Sequence, residues 1–108
     1  MKKTKQKKLK AAGWISGSVQ DFLDLSDEEV AFIEMKLALA NTLKKRRIQR
    51  RLTQAALAKM LESSQSRVAK MEAADSTVSL DLLVRALLAL GATRREVAKV
   101  MAAPAKAA

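Results

Sequence analysis

Gln65, Ser66, Arg67, Ala69 and Lys70 stand together in the stretch LTQAALAKMLESSQSRVAKME, Leu52 to Glu72. Glutamine pairs with the adenine edge, lysine with guanine and serine with either, so this set has the side chains that read bases in a DNA major groove. Helical spacing adds to the point. Val68 and Met71, three residues apart, make an inward apolar stripe and leave Gln65, Ser66, Ala69 and Lys70 on the opposite side. Ser64 is placed to cap that helix, and Thr53 to cap a shorter one that begins at Gln54 and continues through Ala55, Ala56, Leu57 and Ala58. The pattern predicts two short helices joined by a tight turn, with a small, polar, basic tip.

The elements that must position this tip are all helical. Pro104 is the single proline, and no segment alternates polar and apolar residues as a half-buried strand would. Ser26-Asp27-Glu28-Glu29 is a capping box, with Leu25 and Val30 spaced as its hydrophobic staple, so a long first helix is expected from about Asp27 to Arg50. Its inward stripe reads Val30, Ile33, Leu37, Ala40 and Leu43. Further helices are expected over 54–61, 65–73 and 80–90, the last capped by Ser79 and stopped by Gly91. Thr93 to Glu96 is a second capping box, opening a final helix that ends near Ala102.

Composition narrows the function. The chain has 108 residues, a formal net charge of +10, no cysteine and no histidine. Thiolate chemistry, disulfides, the usual zinc sites and the Ser-His and Cys-His forms of nucleophilic catalysis are thereby excluded, and no enzyme is expected. No cofactor or metal is implied either: Asp27, Glu28 and Glu29 belong to a helix start, and with Asp21 and Asp24 they lack the ligand spacing of a calcium loop. No apolar run approaches the length of a membrane span, so the charge points to a polyanion, nucleic acid first.

The charge is also segregated. Residues 1–13 hold six lysines and no acid, residues 14–43 six acids and one lysine, and then come Lys44, Lys45, Arg46, Arg47, Arg50 and Arg51. The last block has two readings, a solvated helix end favoured by the macrodipole or a set of phosphate contacts. The lysine-rich N-terminus has no apolar segment after it and reads as neither signal peptide nor membrane span. It is expected to be disordered, either a basic arm or a solubilising tail, and no site is assigned to it.

LTQAALAKMLESSQSRVAKME resembles the helix-turn-helix of Xre/Cro-family repressors, and VSLDLLVRALLALG is similar to that family's fourth helix. WISGSVQDFLDLSDEEVAFIEMKLALA resembles the N-terminal part of HigA-like antitoxins, partners of RelE/HigB-type toxins. The resemblance implies an all-α, five-helix, lambda-repressor-like domain over 27–103, preceded by a basic tail (1–13) and an extension (14–26) and followed by a tail (104–108). It implies base readout by Gln65, Ser66, Arg67, Ala69 and Lys70. Gln54 matches a position that contacts phosphate and braces the recognition helix. Thr53, Ser64, Arg50, Arg51, Ser76 and Thr77 are the further phosphate candidates, since hydroxyls and helix N-termini hold phosphates. Arg47 and Glu72 match positions that form a partly buried ion pair, a structural role. Arg51, Glu62 and Ala74 stand where the family usually has glycine, at a cost on the order of 1 kcal/mol each if the left-handed backbone is kept.

Two features exceed a minimal DNA-binding domain. LDLLVRALLAL is apolar almost all round, and such a helix is expected to be buried on more than one side. Leu82 and Leu88 fall where the resembled family is commonly polar, and so call for a second partner, another subunit or this chain's own extension. Trp14 and Phe22 lie in a segment too apolar to stay freely solvated, and are expected either to cover the chain's own helices or to bind a partner protein. The reading is a homodimeric, cytoplasmic repressor of a palindromic operator in double-stranded DNA, and more finely an antitoxin that represses its own operon and neutralises a RelE/HigB-type toxin. Alternatives are a phage or plasmid regulator without a toxin, and an interaction module that has lost specific DNA binding.

Overall fold

The computed structural model describes residues 17–103; the basic tail, Trp14 and the C-terminal tail lie outside them. Among the described residues six helices follow one another: α1 (Gly17–Leu23), α2 (Asp27–Gln49), α3 (Gln54–Met60), α4 (Gln65–Glu72), α5 (Leu80–Ala89) and α6 (Arg94–Ala102). No strand occurs among the described residues. The five expected helices are present, with ends within a residue of their expected positions. The addition is α1, in a segment for which no helix was expected. Local bonds account for it: the Gln20 side-chain amide donates to the Leu25 carbonyl at 3.1 Å and to the Asp27 carboxylate at 2.9 Å, tying α1 to the start of α2.

Every later helix starts on a side-chain cap. Ser26, Thr53, Ser64, Ser79 and Thr93 accept the amides of Glu29, Ala56, Arg67, Leu82 and Glu96, and the boxes at Ser26 and Thr93 are closed reciprocally by Glu29 and Glu96. Each such cap is worth about 1 kcal/mol. The helix ends are equally uniform. Asp24, Arg51, Glu62, Ala74 and Gly91 have φ of 56°, 59°, 54°, 54° and 91°. In each case this residue's N–H and the next one reach back to carbonyls of the last turn, as Arg51 does to Ile48 and Leu52 to Arg47, which is the Schellman closure. Arg51, Glu62 and Ala74 thus keep the backbone that glycine would adopt without strain. At Gly91 the Arg50 guanidinium comes within 2.8 Å of where a Cβ would lie, a contact that this exposed, flexible side chain could relieve by moving, so φ is the reason for glycine there.

The core lies between the C-terminal two-thirds of α2 and the helices α4, α5 and α6, with α3 packed on α4. Leu39, Leu43, Leu57, Val68, Met71, Leu83, Leu87 and Leu90 are fully buried, each leucine contributing ~1.5–3 kcal/mol. The expected α2 stripe needs correction. Leu39 and Lys36 are buried, whereas Val30 and Ile33 are only half-buried. Leu82 also differs from expectation: it is half-buried against this chain's own core, whereas Leu88 is 43% exposed. Phe22 lies on α1. It is 55% exposed, as Phe32 is at 49%.

Candidate nucleic-acid interface

Helix α4 is held by one side and open on the other. Val68 and Met71 are fully buried, while Gln65, Ser66, Arg67 and Lys70 are exposed; Ala69 is half-buried at the edge between them. Ser66, Arg67 and Lys70 line a shallow open depression together with Ser64, Thr77 and Val78. The loop after α4 therefore forms one wall and the N-terminus of α4 the other. Five N–H donors on Arg67 and three on Lys70 face into this depression or its rim, and such donors suit guanine O6/N7 or phosphate oxygen.

On the other flank Gln65 belongs to a chain of hydrogen bonds. Its amide donates to the Gln54 side-chain oxygen at 3.4 Å, and the Gln54 amide donates to the Glu72 carboxylate at 3.1 Å. Arg47 completes the chain from α2: its guanidinium donates to both Glu72 oxygens, at 2.5 and 3.1 Å, and to the Leu52 carbonyl at 2.7 Å. The Glu72 side chain is 4% exposed and that of Arg47 12%, so the charges offset one another where water does little screening. The structural consequence is specific. α2, the α2–α3 turn, the start of α3 and the end of α4 are locked at one point, and the tip of α4 projects from it.

The phosphate candidates are distributed around this tip. Thr53 and Ser64 spend one lone pair each on their caps and keep their hydroxyl protons available for an anion. Arg51 is exposed at the α2–α3 turn, and Arg50 is exposed with its guanidinium over Gly91 at the end of α5. Ser76 is exposed. Thr77 is constrained, since its hydroxyl donates to the Asp75 carboxylate at 2.7 Å and its N–H to the same oxygen at 2.8 Å. A phosphate oxygen only accepts, so it would have to compete with Asp75 for that proton. The Thr77 N–H and hydroxyl, with Lys70 and Lys36 adding weaker attraction, hold the Asp75 carboxyl below the usual aspartate range.

Sequence reasoning missed two contributors. Lys36 is buried and its ammonium donates to the Asp75 carbonyl, 2.9 Å away and 39 residues on. Its position was a signal, because 36 falls on the same helical face as Ile33, Ala40, Leu43 and Arg47, where a cation is out of place unless it has a partner. The other is Arg46, which donates to Glu96 at 3.0 Å and ties α2 to the start of α6. Among the described residues no cluster of three or more carboxylates could hold a metal ion, and no helix is long and apolar enough to cross a membrane.

Two short helices in a locked pair, one of them presenting a polar tip and backed by three further helices, define a DNA-binding regulator domain. A helix-turn-helix family model matches residues 43–99, which is 57 of the 108 positions, and the chain belongs to this Xre/Cro-like helix-turn-helix family with a lambda-repressor-like all-α fold. Comparison with curated proteins and with solved structures gives no significant match. The family is a DNA-binding one and not normally enzymatic.

Proposed function

We propose that the protein is a homodimeric, sequence-specific repressor that inserts α4 of each subunit into successive major grooves of a palindromic operator, about one helical turn (~34 Å) apart, and blocks transcription by occupancy. The observation that carries this reading is the geometry of α4, one side fully buried and the other presenting Gln65, Ser66, Arg67 and Lys70. In this reading those four side chains read base edges, with Ala69 offering a thymine methyl a small apolar contact. Thr53, Gln54, Ser64, Arg50, Arg51 and Ser76 hold phosphates on either side, and Thr77 joins them only by giving up its hydroxyl bond to Asp75. Retention of the left-handed backbone at Arg51, Glu62 and Ala74 speaks against the alternative of a domain distorted out of DNA binding. Leu88, exposed on α5, is the candidate dimer contact.

The test compares specific with random DNA. Gln65→Ala and Lys70→Ala should each weaken operator binding by ~1–3 kcal/mol and change random-DNA binding little. Arg51→Ala should weaken both and flatten the plot of log affinity against log salt by about one unit. Equal losses on both DNAs for Gln65→Ala would defeat the assignment, and a species that sediments as a monomer on a full operator would defeat the dimer.

A second reading, the antitoxin, has one observation in its favour. Phe22 and Phe32 are about half exposed on the α1–α2 arm, outside the family-matched stretch, and exposed aromatic side chains are suited to anchor a protein contact. Phe22→Ser with Phe32→Ser should abolish capture of a RelE/HigB-type toxin and leave operator affinity intact. Capture undiminished by both substitutions would remove this support.

A further inference from the structure

Lys36 lies seven residues before the family-matched stretch begins, yet its buried ammonium reaches the loop that leaves α4. The acceptor is informative. The Asp75 carbonyl already accepts the Val78 N–H at 3.0 Å, closing a four-residue turn over 75–78, and it accepts Lys36 as a second donor at 2.9 Å. The N–H of the same residue closes the end of α4 on the Lys70 carbonyl at 3.0 Å. Asp75 is thus the hinge between α4 and α5, and its carboxylate fixes Thr77, which lines the depression beside Ser66, Arg67 and Lys70. From the core side this turn is anchored by Val78, 3% exposed, and by Lys36.

We infer that Lys36 is a positioning residue for DNA recognition: through the Asp75 carbonyl it sets the turn that forms one wall of the α4 reading face. The inference rests on the DNA-binding reading above. Burying an ammonium is costly unless it is hydrogen-bonded, and the Asp75 carbonyl is the acceptor Lys36 reaches, so the lysine favours the turn geometry that supplies it. Its charge acts as well. Asp75 places a carboxylate next to a face that must receive a polyanion, and Lys36, close behind, offsets that charge without being exposed to the DNA. The arrangement makes the long α2 part of the recognition apparatus.

The experiment uses the full chain with Lys36→Met, which keeps the apolar stem, Lys36→Arg, which keeps the cation, and Lys70→Ala as a reference for direct contact. Operator affinity, its salt slope and hydrogen exchange at the Val78 amide are measured for each. Lys36→Met should bind operator about tenfold more weakly with an unchanged salt slope, and the Val78 amide should exchange faster while Leu87 and Leu90 stay protected; Lys36→Arg should restore most of both. Wild-type affinity in Lys36→Met overturns the inference, as does a slope reduced by one unit, which would make Lys36 a direct phosphate contact. Should Lys36→Met lose its helical CD, Lys36→Gln, which keeps a donor but is one bond shorter, is put to the same measurements and judged by the same outcomes. If Lys70→Ala also binds like wild type, the DNA-reading assignment itself fails, and the two failures are told apart.

Discussion

The α1–α2 arm and the family-matched region use the same local devices and reach different states. Both open a helix with a closed capping box, Ser26 with Glu29 and Thr93 with Glu96, and both end helices on a left-handed residue, Asp24 in the first and Arg51, Glu62, Ala74 and Gly91 in the second. In the matched region these helices bury leucines completely. On the arm, Phe22 and Phe32 stay about half exposed and α1 is in none of the closely packed helix pairs. Caps and closures decide where helices begin and stop. They do not decide what is buried, which needs an opposing surface.

The largest effect should come from the buried polar lock. Glu72→Ala leaves the Arg47 guanidinium without its carboxylate in a site where both side chains are nearly buried, and the expected loss is ~3–5 kcal/mol of global stability in urea unfolding. The arm's corresponding polar tie, broken by Gln20→Ala, should move global stability by less than ~0.5 kcal/mol, because its partners are exposed or half-buried. A loss of several kcal/mol from Gln20→Ala would mean that the arm is integrated with the core after all.

Apolar truncations should separate the regions by nearly as much. Leu43 is fully buried, and Leu43→Ala is expected to cost ~2–5 kcal/mol. Phe32→Ala, at an exposed position, should cost under ~0.5 kcal/mol in the isolated protein. Were the two changes equal, Phe32 would have a partner in solution, and repeating the measurement over a concentration series would reveal a second copy.

What the sequence alone made legible follows the same division. Cap hydroxyls and the two boxes lie within four residues of the atoms they bond, so Ser26 and Thr93 could be read directly, whereas the left-handed sites Arg51, Glu62 and Ala74 were implied by the family resemblance. The tip of α4 was legible because its inward pair, Val68 and Met71, shares one helix with the outward residues. Lys36 and Asp75 are 39 residues apart, and no local pattern joins them. Leu39, off the expected stripe yet fully buried, and Leu82, absorbed by its own core, depend on how four helices meet. The Thr77 hydroxyl was counted as free for phosphate because the acceptor that takes its proton is visible only once the turn is folded.

A smaller effect tests the helix ends. Glu62 is exposed and has φ of 54°, so Glu62→Gly should relieve more strain than it adds in unfolded-chain entropy, and raise global stability by ~0.5–1 kcal/mol. Asp24→Gly makes the same exchange on the arm. It should slow hydrogen exchange at the α1 closure, the Asp24 and Leu25 amides, and leave global unfolding unchanged. A gain in global stability from Asp24→Gly would join the arm to the cooperative unit.

The smallest effect is electrostatic and belongs to the matched region. The Glu96 carboxyl is held below the ordinary glutamate range, first by the Thr93 N–H that it accepts and then by Arg46, which donates to it. A carboxyl with a lowered folded pKa binds its proton less readily than in the unfolded chain. Its contribution is therefore complete above the ordinary glutamate range and is lost as the pH falls through the folded value. Glu96→Gln removes that titration while keeping the shape, so the stability gap between wild type and Glu96→Gln should be constant near neutrality and shrink on acidification. Because the site is solvent-exposed, the gap should also narrow in high salt. A gap that widened with acid would mean that Glu96 holds its proton more tightly in the folded protein, against the bonding seen at Thr93 and Arg46.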